Sequence, residues 1–169
     1  MSSGIYAITG QLISFLETEA PEAKNIKARL RRSVGKEPGE DAELWGWLMS
    51  RLPEEFWGKG GKISYAEYAV YIALTAFSIG PTPSRDKDIT FTRAMAIAGI
   101  DRLRLGKMET ASNIKMLQAE LKGLVMFIAS KGCPFNYGAL AEDLYSWQFD
   151  KIATARKWER EYARKENDK

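Results

Sequence analysis

A chain of 169 residues, 45% hydrophobic and 28% charged, can bury a sizeable core as one domain and is too apolar for a disordered tail. Its net charge of +3 is small, so recognition of nucleic acid depends on where the cations sit rather than on their sum. The absence of histidine excludes Ser-His and Cys-His nucleophiles and the usual neutral-pH base, and the single Cys133 excludes an internal disulfide and a thiolate zinc cluster.

In chain order, the apolar residues Ile5, Ile8, Leu12, Phe15 and Leu16 predict a first amphipathic helix. No basic leader precedes an apolar core here, which predicts a cytoplasmic protein with neither secretion nor membrane insertion. Pro21 at a first turn, followed by Glu22, starts a second helix with Ala23, Ile26 and Leu30 as its buried stripe. Its remainder is basic: Lys27, Arg29, Arg31 and Arg32 cluster without an acid among them. Asp41 caps a third helix carrying Leu44, Trp45, Leu48, Met49 and Leu52. The GKGGK segment at residues 58–62 reads as a flexible connection, lacking the strand and the Lys-Ser/Thr ending of a phosphate-binding loop.

Ser64 and Glu67 form a capping box before YAVYIALTAFSIG, which is apolar nearly all round and predicts a central buried helix too short for a membrane span. Residues 81–88, PTPSRDKD, read as a mobile surface loop and the best internal boundary. Thr90 or Thr92 begins a short helix with Arg93, and residues 99–107 bring Arg102, Arg104 and Lys107 in an irregular connection. A long helix follows, with Ile114, Leu117, Leu121, Leu124, Val125 and Ile128 at near-heptad spacing.

Beyond Cys133, read as a small core residue, Asn136 caps a helix with Tyr137, Leu140, Ala141, Leu144 and Trp147 on one face. A last helix presents Ile152, Ala155, Trp158 and Tyr162 to the core, with Arg156, Lys157 and Arg160 opposite. Those cations alternate with Glu159, Glu161 and Glu166, and Lys157 can pair with Glu161 across one turn. Nearly every periodic segment is helical. The expected fold is therefore an all-α, compact multi-helix bundle, with an N-terminal lobe at 1–84 and a C-terminal bundle at 85–169.

Asp86 with Asp88, Glu54 with Glu55, Glu109, and Glu142 with Asp143 are the acids that could hold a hard metal, but none shows convergent spacing. No catalytic residue, metal or cofactor is assigned. The cations Lys27, Arg29, Arg31, Arg32, Arg93, Arg102, Arg104, Lys107, Arg156, Lys157 and Arg160 are candidate phosphate contacts.

KARLRRSVGKEP, YAVYIALTAFSIGP, FTRAMAIAG and LKGLVMFIASKGCPFNYGALAEDLYSWQ leading to RKWEREYAR, taken in that order, resemble CasB, the small-subunit family of the type I-E CRISPR surveillance complex Cascade. The resemblance spans nearly the whole chain. It implies a non-catalytic helical subunit present in two copies beside backbone and large subunits and CRISPR RNA, holding target DNA and the displaced strand of the R-loop. By position, it matches Arg31 and Arg32, Arg93, Arg102 and Arg104, and Arg156, Lys157 and Arg160 to the family's basic motifs. Two other readings stay open: a free-standing helical DNA-binding regulator using residues 21–32, and an acid-metal nuclease using Asp86, Asp88 or Glu142.

Overall fold

The computed structural model describes residues 2–164, and these form an all-α bundle of nine helices. They are α1 (Ser2–Leu16), α2 (Pro21–Arg32), α3 (Ala42–Arg51), α4 (Tyr65–Ile79), α5 (Phe91–Ala98), α6 (Arg102–Glu109), α7 (Ile114–Ser130), α8 (Tyr137–Trp147) and α9 (Lys151–Ala163). Glu166 lies outside the described residues. The starts are set locally, because side-chain oxygens of Asp41, Ser64, Thr90, Asp101, Asn113, Asn136 and Asp150 each accept a first-turn backbone N–H. At α4 the box is complete, with the Ser64 N–H donating to Glu67 at 2.8 Å and the Glu67 N–H to Ser64 at 2.9 Å.

α4 is the centre. It is buried on every side and packs against α1, α2, α7 and α8. α8 lies between α1 and α4, and Gly138 permits the approach to α1: a Cβ there would meet the Tyr6 ring at 2.8 Å and its carbonyl oxygen at 3.0 Å. α5 and α9 then pack on one another and on α8, and α6 bridges α7 and α9.

Several segments differ from the sequence expectation. Residues 102–109 form α6 rather than an irregular connection, because Asp101 caps the turn and Leu105 and Met108 are buried. The 81–88 segment is anchored, with the Ser84 N–H donating to Phe135 O at 2.9 Å, Asn136 Nδ2 to Ser84 O at 3.0 Å and Tyr137 Oη to Pro81 O at 2.7 Å. GKGGK is a formed turn, in which Gly60 takes φ +63° and a Cβ on Gly58 would collide with the Lys62 carbonyl. Cys133 is half-buried, and Trp47 rather than Trp45 is the buried tryptophan of α3.

On α9 the stripe is shifted. Ile152 is 67% exposed, and the buried positions are Thr154, Trp158 and Glu161. Polar groups face inward there because Asp143 of α8, only 4% exposed, accepts from Trp158 Nε1 at 3.0 Å and pairs with Lys157. Burial pushes the Asp143 carboxyl up while the Lys157 ammonium pulls it back, so this contact holds a charge out of water. Asp143→Ala leaves the Trp158 N–H without its acceptor and the half-exposed Lys157 with only the longer contact to Glu161. It should cost about 3 kcal/mol in urea unfolding; a cost no larger than the ~0.5 kcal/mol typical of surface substitutions would contradict the role.

Candidate nucleic-acid interface

The eleven candidate cations do not share one fate. Arg29 is claimed by acids that the turn into α3 carries over: Nη1 donates to both Asp41 oxygens at 3.0 Å and Nε pairs with Glu43. Asp41 is held below the usual carboxylate range by the Leu44 N–H it caps and then by Arg29. Arg31 turns its Nε and Nη2 to the Ser78 carbonyl at 3.4 and 3.3 Å, capping the C-terminal end of α4 where carbonyls lack partners. Arg102 pairs with Glu159 at 2.8 Å, and Lys157 pairs with Asp143 and with Glu161 at 3.7 Å, the spacing read from sequence. Arg93 donates Nη1 to Asp88 O at 3.3 Å.

Lys27, Arg32, Arg104, Lys107, Arg156 and Arg160 have no carboxylate partner among the described residues, and all but Lys27 are exposed. α7 brings some of them together. Gln118 Nε2 donates to the Lys36 carbonyl at 3.0 Å, docking the turn after α2 onto α7, and Tyr71 Oη of α4 reaches the Ser33 and Lys36 carbonyls at 3.1 Å. One turn past Gln118, Lys122 lines a narrow crevice with Val34 and Gly35, just beyond Arg32. The next residue, Gly123, lies beneath Arg104, whose Nη2 would be 3.6 Å from a Cβ at that position.

The segments that carry Arg32 and Lys36, then Lys122, then Arg104 and Lys107 thus adjoin in turn: the end of α2, α7 and α6. Lys122 was missed because α7 reads as a core helix, and Lys36 because it lies beyond the end of α2, in the turn. The signal was the seven-residue spacing of Lys115 and Lys122, which puts both on one outer face. Arg156 and Arg160 belong to α9, which also packs on α6. Among the described residues, no group of three or more Cys, Asp or Glu could hold a metal ion, and no helix is long and apolar enough to cross a membrane.

The family model for CRISPR-associated protein Cse2 matches residues 27–162. The fold is similar to the crystal structure of CasB from Thermobifida fusca, with TM-score 0.72, 22% identity, and 95% of this chain and 96% of that chain covered. It is also similar to a chain of a CRISPR RNA-guided surveillance complex, with TM-score 0.71, 21% identity, and 97% and 94% covered. No curated protein matches the chain in sequence.

Two acids are raised toward neutral pH. Glu161 is pushed up to about 7 by burial and by Asp143, against the opposing Lys157 and Thr90 contacts. Glu109 rises to about 7 by burial and by its contact with Glu159. A carboxyl raised in the folded state stabilises the fold fully below its unfolded value of 4.5, and that stability is lost as pH rises through about 7. The thermal midpoint should therefore fall between pH 5 and pH 8, and fall less in Glu161→Gln. An equal or larger fall in that variant would contradict the assignment.

Proposed function

The chain belongs to the CRISPR-associated Cse2 family, to which CasB also belongs, and on that premise we propose that it serves as a non-catalytic small subunit of an RNA-guided surveillance complex. In that reading it binds target DNA and the strand displaced when guide RNA pairs. The observation that carries it is the path from Arg32 and Lys36 over Lys122 to Arg104 and Lys107, where cations from three helices lie without carboxylate partners among the described residues. Such a path meets phosphates without reading bases, which suits a complex whose specificity lies in the guide. The RNA-DNA hybrid is about as stable as the duplex it replaces, so modest backbone contacts tip the exchange.

The acids support a non-catalytic role through the tasks they already perform. Asp143 holds α9, Glu161 faces Lys157, and Asp86 closes a local turn by accepting the Asp88 N–H at 2.9 Å. The partners in this reading are the backbone and large subunits, a second copy of the chain, CRISPR RNA, target DNA and the displaced single strand, assembled in the cytoplasm. The division at residue 84 then separates the source of Arg32 and Lys36 from the source of Lys122, Arg104 and Lys107, so that a strand would run across both lobes.

Co-expression with guide RNA and the partner subunits tests the reading. The chain should co-elute with the RNA-containing complex, and omitting it should shorten the lifetime of the displaced strand's protection from nuclease. Elution of the chain alone, with sequence-selective duplex binding that survives competitor DNA, would favour the free-standing regulator instead.

A further inference from the structure

The basic path leaves one built feature unused, the turn at residues 58–62. The Lys62 N–H donates to Lys59 O at 3.3 Å, and the turn forms one wall of an open cavity of about 240 Å³ between α3 and the start of α4. Trp45 and Trp57 also line it. Trp57 is 42% exposed, and its Nε1–H donates to Leu52 O at 3.0 Å, which fixes the plane of the indole. Trp45 is half-buried, and its indole N–H has no acceptor among the described residues.

Glu67 lines the cavity as a fixed acceptor, 3% exposed and held by the Ser64 N–H. Lys62 lines it too, and Lys59 and Lys62 are exposed without carboxylate partners among the described residues. Two residues past Ile63 of the lining, Tyr65 is 50% exposed and stacks on Phe149 with ring centroids 6.2 Å apart and an interplanar angle of 19°.

We propose that this cavity seats an unstacked nucleobase of single-stranded nucleic acid, with the two indoles against the base and Lys59 and Lys62 on the flanking phosphates. The proposal deepens the function proposed above and rests on it. Indole walls accept the face of any base, and stacking of this kind is tolerant of sequence. The free Trp45 N–H and the fixed Glu67 oxygen offer a donor and an acceptor to the mixed edge of a base. Two unpaired lysines favour an anionic backbone and disfavour the quaternary ammonium guest that aromatic walls otherwise attract. Tyr65 on Phe149 gives the neighbouring base a second exposed face.

The test uses the full chain and a short oligothymidylate carrying 5-iododeoxyuridine, which photocrosslinks to the aromatic ring it stacks on. The crosslink should map to Trp57 or Trp45. Trp57→Ala should weaken binding roughly ten-fold with helicity unchanged. Lys62→Gln, on the exposed turn, keeps the test decisive should Trp57→Ala not fold, and it should lower the log-log salt slope by about 0.7. Crosslinks confined to α6 and α7, with both variants binding as wild type, would overturn this site and leave the basic path standing. No binding of the oligonucleotide by the wild-type chain would overturn both. Loss of co-elution with the partner subunits in Trp57→Ala, at unchanged oligonucleotide affinity, would make the cavity a protein-docking site and the proposal wrong.

Discussion

A helix that is apolar nearly all the way round persists in water only when neighbours cover every face, and α4 imposes that condition on this chain. Its eleven buried residues include Val70, Tyr71, Ile72 and Leu74, and leaving such side chains exposed would forfeit about 1.5–3 kcal/mol each for the larger ones. α1, α2, α7 and α8 provide the cover. The packing also places charge. Covering α4 with α2 and α7 brings Arg31 to the Ser78 carbonyl and the turn after α2 to Gln118, so Val34 and Gly35, which follow Arg32 in the chain, arrive beside Lys122. The cationic path is a consequence of how a hydrophobic helix is enclosed.

The same packing pairs other cations with acids. Arg29 is neutralised by Asp41 and Glu43, Arg102 by Glu159, and Lys157 by Asp143. These pairs differ in kind. Arg102 is exposed on the surface, where an ion pair contributes little, whereas Asp143 is buried and its removal would strand the Trp158 N–H and weaken the hold on Lys157. A net charge of +3 therefore says little about the local field along α2, α7 and α6, because some of the acids that balance the total sit with other cations.

Helix starts were legible because a cap is a local signal: Asp41, Asn136 and the Ser64/Glu67 box read the same in sequence and in structure. The stripes of α2 and α7 were legible because one face is apolar at helical spacing. α6 was missed because only Leu105 and Met108 go inward, too few for a periodic pattern, although Asp101 was a readable cap. The stripe of α9 was legible at Trp158 and Tyr162 but not at its start, where Ile152 stays in solvent, nor at Lys157, which a buried carboxylate on α8 takes as its partner. Non-local pairing was not legible in the basic cluster at residues 27–32, since the acids that pair with Arg29 lie beyond a turn, and Lys122 was hidden on the outer face of a core helix.

Cations in this chain sort by their partners, and the salt dependence of single-strand binding tests that sorting most directly. Arg32, Lys122 and Arg104 replaced together by glutamine should flatten the log-log slope by about 2, near 0.7 for each phosphate no longer neutralised. Arg29, Arg102 and Lys157 replaced in the same way should leave the slope unchanged in whatever fraction remains folded. Equal flattening by the two triplets, or flattening by the second alone, would contradict it.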